Sequence, residues 1–165
     1  MPIIDEHTLD FFSRSPEQTR RMGMRLGGLL QTGDTICLAG DLGAGKTTLV
    51  QGIAKGWGSL DPVSSPTFII VNVYRRTDGV TLSHLDTYRL FNAAEAEDLD
   101  LQPMMENGPV LIEWPERIQE ILPKDRLWVS LRWLADEQRG LLFKGSGTRS
   151  LELVHKLKKI YHGGV

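Results

Sequence analysis

The sequence predicts an α/β fold, with helices on both faces of a mixed, mostly parallel central sheet and antiparallel strands at one side. Three observations support this fold class. The apolar run Thr35-Ile36-Cys37-Leu38-Ala39 has the pattern of a strand that is buried on both faces. A glycine-rich segment and an amphipathic helix follow that run directly. Strand and helix patterns alternate early in the chain, whereas strand patterns cluster later, which is typical of a mixed sheet in a three-layer α/β/α arrangement.

The individual elements follow from periodicity, caps and turn residues. Ser15-Pro16-Glu17 predicts the start of a helix, with a serine cap, a proline at the first helical position and an acid in the first turn, and Gly33 is expected to end it. The later predictions are a helix over residues 46–54, a loop over 56–66, an antiparallel hairpin of strands 67–74 and 80–85 around Asp78-Gly79, a short helix over 93–105, a buried strand over 109–113, strands over 127–134 and 141–144, and a terminal helix over about 151–160. No repeat or linker interrupts the pattern, so residues 1–165 are predicted to form a single domain.

Composition places the chain among ordinary globular proteins. Of its 165 residues, 41% are hydrophobic and 24% are charged. The net charge of −2 provides no overall attraction for nucleic acid, so any RNA contact has to be local or made through a partner. The single cysteine, Cys37, excludes an internal disulfide and is expected to be buried. The N-terminus does not resemble a signal peptide and no apolar run approaches roughly 18 residues, so we expect a cytoplasmic protein with no membrane contact.

The strongest motif is a phosphate-binding loop between the strand of residues 35–39 and the helix that follows. Gly40, Gly45, Lys46 and Thr47 satisfy the pattern G-x-x-x-x-G-K-[ST]. Glycines let the backbone N–H groups turn towards phosphate oxygens, and the positive end of the helix adds to the attraction. The predicted nucleotide ligands in this segment are Asp41, Leu42, Gly43, Ala44, Gly45, Lys46, Thr47 and Thr48. The pattern therefore predicts a P-loop NTPase-like fold.

Each polar side chain of the loop has an expected role. Lys46 is predicted to be catalytic and to reach the β- and γ-phosphates, while the Thr47 hydroxyl binds Mg²⁺. Thr48, one residue further, is placed to contact the α-phosphate. The guanine-reading pattern N-K-x-D is absent, so we expect ATP and Mg²⁺ rather than GTP.

Two acids are candidates for orienting the metal and the attacking water. Glu113 ends the apolar run Val110-Leu111-Ile112, and Asp86 ends Leu82-Ser83-His84-Leu85 in the same way. An acid at the end of a strand beside the phosphate loop is what this chemistry requires, and the sequence leaves the division between the two open. His84 can polarise Asp86, act as a base or be structural, and Arg89 can stabilise charge or simply form a surface ion pair.

Several classes of P-loop protein are excluded by missing motifs. The chain has neither the D-x-x-G of a GTPase nor the L-S-G-G-Q of a transporter ATPase, and it lacks an arginine-rich lid insertion. A minimal ATPase remains. Two alternatives stay open: a kinase acting on a small molecule or a protein hydroxyl, and a binding module in which nucleotide occupancy matters more than hydrolysis.

Four separated motifs together resemble the TsaE family (also called YjeE), the bacterial ATPase of tRNA threonylcarbamoyladenosine biosynthesis. The motifs are residues 40–48, Ser65-Pro66-Thr67-Phe68, His84-Leu85-Asp86-Thr87-Tyr88-Arg89-Leu90, and Leu111-Ile112-Glu113-Trp114-Pro115-Glu116. The resemblance spans about residues 13–147 and implies an ATPase that uses Mg²⁺. It also implies action with TsaD and TsaB on the adenosine beside the anticodon, with tRNA contacted through the complex.

The resemblance also assigns residues. It makes Lys46 and Thr47 phosphate and metal ligands, Glu113 the Mg²⁺ acid, and Asp86 the acid needed for hydrolysis. It places Ser65-Pro66-Thr67 in a mobile loop near the γ-phosphate and Trp114 beside the metal acid, and it loosely matches Thr19 and Arg139 to positions flanking the base. The chain departs from the family at Asp100, where glycine is common, and the lysine-containing tail after Gly147 is not covered. That tail is expected to be a solvated amphipathic helix, with a partner contact as the alternative.

Overall fold

The computed structural model describes residues 6–41, 43–63, 71–88 and 100–162. Its elements, in chain order, are β1 (Thr8–Ser13), α1 (Pro16–Gly27), β2 (Thr35–Ala39), α2 (Lys46–Trp57), β3 (Val71–Arg75), β4 (Thr81–Asp86), α3 (Leu101–Asn107), β5 (Val110–Glu113), a 3₁₀ helix (Pro115–Ile121), β6 (Leu127–Ala135), β7 (Gln138–Gly145) and α4 (Thr148–His162). No described helix is both long enough and apolar enough to span a membrane.

The strands form one seven-stranded sheet in the order β1-β7-β6-β2-β5-β4-β3. The central pairings β6–β2, β2–β5 and β5–β4 are parallel, whereas β4–β3, β6–β7 and β7–β1 are antiparallel. The mixed α/β fold class is confirmed, as is the hairpin formed by β3 and β4. One detail differs: antiparallel strands lie at both edges of the sheet, since β3 pairs with β4 at one edge and β7 pairs with β6 near the other. The sequence analysis also missed β1, which forms the edge beyond β7.

Several helix boundaries differ from the sequence predictions. Helix α1 ends at Gly27 rather than at Gly33, because the chain tightens there: the Leu29 and Leu30 N–H groups donate to the Leu26 and Gly27 carbonyls, only three residues back. Gly33 instead occupies a turn with φ of 93° before β2. The predicted helix over 93–105 is described only from Leu101 to Asn107, and residues 93–99 lie outside the described part.

Helices α1 and α2 pack unusually closely, because glycines line their contact. A Cβ on Gly52 would lie 2.0 Å from the Arg20 carbonyl oxygen, and one on Gly27 would lie 2.0 Å from the Ile53 carbonyl oxygen. Gly23 and Gly56 approach the partner backbone in the same way. The two helices therefore touch backbone to backbone, and the helix that follows the phosphate loop is held against α1 as well as against the sheet.

The main core lies between the sheet and these helices, and α4 closes it at the β7 side. Buried residues from both helices meet strand side chains such as Ile36, Leu38, Leu141 and Phe143. Cys37 is fully buried in a smaller cluster on the opposite face, as expected, and burial raises its pKa to about 12. Helix α4 is anchored by Asp125, whose carboxylate accepts the N–H groups of Arg149 and Ser150.

Candidate functional site

The phosphate loop joins the carboxyl end of β2 to the first residue of α2. Gly40, Gly43 and Gly45 have φ angles of 151°, 82° and 101°, which side-chain-bearing residues rarely adopt. A Cβ on Gly40 would also lie 2.7 Å from the Leu131 carbonyl oxygen. The Ala44 N–H donates to the Asp41 carbonyl, and no side chain caps the start of α2. The loop thus has the turned backbone and the uncapped helix start of an anion-binding cradle.

Lys46 is the first residue of α2 and is only 7% exposed. Its Nζ is buried and, among the described residues, has no hydrogen-bond partner. Burial lowers the pKa of Lys46, and the nearby carboxylates of Glu113 and Asp86 oppose that shift. A buried ammonium without an acceptor is costly, so this position is arranged for a negatively charged ligand.

The two candidate acids lie next to each other at the carboxyl edge of the sheet. Asp86 and Glu113 end β4 and β5 and are register partners. Glu113 also lies opposite Leu38 on β2, just before the phosphate loop. The backbone N–H and hydroxyl of Thr87 both donate to the Glu113 carbonyl, at 3.1 and 2.9 Å, which holds the two strand ends together.

Glu113 makes a buried side-chain contact that the sequence analysis did not predict. His84 Nε2 lies 2.6 Å from Glu113 Oε2, and His84 Nδ1 lies 2.9 Å from the Tyr74 hydroxyl. An ionised carboxylate only accepts, so Nε2 donates to it, and in the neutral imidazole Nδ1 then accepts from the Tyr74 hydroxyl. The sequence offers Asp86 as a partner for His84, but the structure pairs His84 with Glu113. His84 and Asp86 are two residues apart and share a face of β4, and Glu113 lies on that face as the register partner of Asp86.

Trp114 lies over the lysine of the phosphate loop. Its ring centre is 3.9 Å from Lys46 Nζ, a cation–π contact. Its backbone has φ of 59°, in the left-handed region, and the ring also packs on Tyr88 with centres 4.8 Å apart. The resemblance placed Trp114 beside the metal acid, and the structure adds that it covers the lysine.

The remaining predicted residues differ in how they relate to the phosphate loop. Arg139 contacts it directly, because Nε donates to the Gly43 carbonyl at 3.2 Å. Thr19 is buried and its hydroxyl lies 2.6 Å from Ser13 Oγ, so this side chain is engaged beneath the turn between β1 and α1. Asp41 and Thr47 are exposed, and Thr48 is partly buried. Leu42, Ser65-Pro66-Thr67 and Arg89 lie outside the described residues.

The residues present fit a nucleotide with Mg²⁺. The required donors and acceptors are supplied by the glycine cradle, the neighbouring Asp86 and Glu113 carboxylates, and the Lys46 ammonium, which has no hydrogen-bond partner in the described parts of the chain. Over residues 6–41, 43–63, 71–88 and 100–162, no group of three or more His, Cys, Asp or Glu side chains is arranged to hold a metal by itself. Mg²⁺ in phosphate sites commonly takes one or two carboxylates together with phosphates and water.

The parallel centre of the sheet, with a phosphate loop between β2 and α2, defines a P-loop NTPase-like protein. The sequence model of the family described as "Threonylcarbamoyl adenosine biosynthesis protein TsaE" matches residues 13–141. The chain belongs to the TsaE family.

Individual relatives agree with this assignment. The chain is 38% identical over 147 residues to the tRNA threonylcarbamoyladenosine biosynthesis protein TsaE of Bacillus subtilis (strain 168), covering 88% of this chain and 90% of the relative. It is 42% identical over 136 residues to the Streptomyces coelicolor protein of the same name, covering 79% and 92%. The crystal structure of Bacillus subtilis YdiB superposes with a TM-score of 0.75 at 30% identity, covering 93% of this chain and 96% of that one.

Proposed function

We propose that this protein binds and hydrolyses Mg-ATP as an accessory ATPase of tRNA threonylcarbamoyladenosine biosynthesis, acting with TsaD and TsaB. One observation carries the ATPase part: the Lys46 ammonium is buried at the phosphate loop without a hydrogen-bond partner in the described chain, near two carboxylates that end adjacent strands. The relatives support the pathway, because both are named as tRNA threonylcarbamoyladenosine biosynthesis proteins.

The loop binds the nucleotide and Lys46 stabilises its β- and γ-phosphates. In this proposal the backbone amides of residues 41–48 surround the phosphates, Thr47 and Glu113 hold Mg²⁺, and Arg139 flanks the base. Mg²⁺ neutralises charge on the phosphate oxygens when it is bound. Thr19 flanks the base in this proposal, with its hydroxyl already engaged by Ser13 Oγ.

Asp86 and Glu113 have different roles in this proposal, one with the attacking water and the other with the metal. Glu113 is buried and already accepts from His84, so its orientation is fixed before a metal arrives. Asp86 is partly buried, and its Oδ1 accepts the Tyr88 N–H. We therefore assign Glu113 to the metal and Asp86 to positioning and deprotonating the attacking water.

Nucleotide competition tests the binding step. Labelled ATP is bound to the protein and displaced with unlabelled ATP or GTP at equal concentrations, with and without Mg²⁺. We expect ATP to compete better, and Lys46→Ala to abolish most binding because the cradle loses its buried cation. Lys55→Ala, which removes an exposed lysine from the end of the same helix, is the matched control. Tighter binding of GTP would contradict the proposal.

Two acid substitutions test the division of roles. Glu113→Ala is expected to flatten the dependence of ATP affinity on Mg²⁺, whereas Asp86→Ala should keep binding and lose hydrolysis. Glu120→Ala, an exposed acid in the nearby 3₁₀ helix, is the control. The opposite pattern would reverse the two assignments. Transfer of the γ-phosphate to a hydroxyl compound instead of water would favour the kinase alternative.

A further inference from the structure

A groove away from the phosphate loop combines arginine side chains with aromatic rings. It lies between β1, α1 and the end of α4 and has a volume of about 360 Å³. Its lining includes Arg14, Arg21 and Arg25 together with Phe12 and Tyr161. Phe12 and Tyr161 are 45% and 40% exposed, which is high for large apolar rings.

The three guanidinium groups of this groove are unpaired within the part of the chain that the structure describes. Arg21 and Arg25 are one helical turn apart on α1, and Glu17, one turn before Arg21, forms no ion pair with it. Of the eight other arginines that the structure describes, four are ion-paired: Arg75 with Asp61, Arg76 with Asp78, Arg132 with Asp10 and Arg149 with Asp34. The groove is distinct because it brings three unpaired guanidinium groups together. In a chain with net charge −2, this is a local concentration of free positive charge.

Aromatic rings beside free guanidiniums suit a single-stranded nucleic acid. Arginines bind the phosphates, while exposed rings stack on bases, and a volume of this size accommodates about one nucleotide. An acidic peptide would use the charges but would leave the exposed rings without a function. Ser13, the residue before Arg14, is the register partner of Arg139, and Arg139 contacts the phosphate loop. This end of the groove therefore lies on the same side of the sheet as the carboxyl end of β2, where the phosphate loop begins.

We propose that this groove binds a single-stranded segment of the tRNA, with Arg14, Arg21 and Arg25 on the phosphates and Phe12 stacked on a base. The inference rests on the proposed role in tRNA modification and goes beyond it, because that role needs only contact through partner proteins. The protein would then hold tRNA directly, through a surface separate from its ATP site.

The test is binding of the full chain to a fluorescent anticodon stem-loop RNA over a range of salt concentrations. Arg14→Ala/Arg21→Ala/Arg25→Ala should weaken binding by more than about tenfold and make the slope of log K against log salt shallower by about two. Phe12→Ala should weaken binding by roughly tenfold without changing that slope. Lys55→Ala/Lys124→Ala/Lys144→Ala removes the same charge from exposed positions elsewhere and should bind like the wild type.

Further binding measurements separate this proposal from its alternatives. RNA binding that is equal in the groove variant and the wild type would overturn it. Polyglutamate that displaces the RNA and binds independently of Phe12 would assign the groove to an acidic protein segment, which also overturns it. ATP binding is measured in parallel: Lys46→Ala should lose ATP and keep RNA, and the groove variant should do the reverse. Wild-type protein that binds RNA but not ATP would defeat the ATPase proposal and support the groove.

Discussion

The Trp114 ring covers the Lys46 ammonium, which is the group that we expect to bind phosphate. With the ammonium 3.9 Å from the ring centre, a phosphate that approaches Lys46 has to share or replace the cation–π contact. The indole also packs on Tyr88, so its displacement changes its surroundings on two sides. Binding of a nucleotide is therefore coupled to the position of a tryptophan.

This coupling predicts an optical signal. Tryptophan fluorescence should change on addition of Mg-ATP, and Trp114→Phe should lose most of that change while Trp133→Phe keeps it. Trp133 is a suitable control because it is 61% exposed on β6. A full fluorescence response in the Trp114→Phe protein would show that the signal comes from Trp57, Trp128 or Trp133. It would contradict the displacement of the Trp114 ring by the nucleotide.

His84 is predicted to act as a positioning residue for Glu113. Loss of a side chain that orients a metal ligand commonly lowers metal affinity about 10–100-fold. His84→Ala should therefore weaken Mg²⁺-dependent ATP binding by that amount and leave Mg²⁺-free binding nearly unchanged. His84→Gln, which keeps a donor, should recover part of the loss, and Tyr74→Phe should have a smaller effect in the same direction.

The control for this prediction is Ser83→Ala, a buried neighbour on the opposite face of β4. A purely structural role for His84 would lower thermal stability and both kinds of binding together, without rescue by glutamine. That result would remove the positioning role.

At the scale of elements, the glycines between α1 and α2 determine where the phosphate loop lies. Gly52→Ala would bring a Cβ within 2.0 Å of a backbone oxygen that cannot rotate away, so the helices have to separate. We expect a loss of unfolding free energy of about 1–3 kcal/mol or more, together with weaker ATP binding because α2 carries Lys46. Denaturant unfolding and ATP titration measure the two effects.

Gly28→Ala is the matched control for this prediction. Gly28 has φ of −65°, and its nearest contact to an added Cβ is 3.6 Å, so alanine is tolerated there. Equal losses from the two substitutions would show that lost glycine flexibility, rather than close packing, determines the effect.

Sequence reasoning recovered most elements that have local signals, missed one such strand, and did not find the contacts that depend on strand order. The loop of residues 40–47 and the strand ends at Asp86 and Glu113 follow from short patterns and were placed correctly relative to the sheet. Strand β1 was missed, although buried Leu9 and Phe11 alternate with exposed Asp10 and Phe12. The His84–Glu113 and Lys46–Trp114 contacts join residues far apart in sequence, so only the order β2-β5-β4 brings them together.

For the whole molecule, the main prediction concerns turnover. Phosphoryl transfer is fast when fixed cations surround the developing charge. In the described part of the chain, no arginine forms an ion pair with Asp86 or Glu113, and Lys46 is covered by Trp114. Arg89 lies outside the described residues. Among the described residues, the cation that we assign to the phosphates is Lys46, and it contacts Trp114 before ATP binds.

We therefore expect slow hydrolysis by the purified chain and a marked increase with TsaD and TsaB. A partner that moves Trp114 or supplies an arginine can change the rate substantially, since an arginine supplied in trans is worth roughly 10³-fold or more in P-loop systems. Phosphate release is measured for the chain alone, with both partners, and then with tRNA. Trp114→Ala distinguishes the two routes: if uncovering Lys46 is what the partners do, this variant hydrolyses faster alone and gains less from them. Fast turnover by the wild-type chain with no response to the partners would contradict an accessory role and favour the kinase alternative.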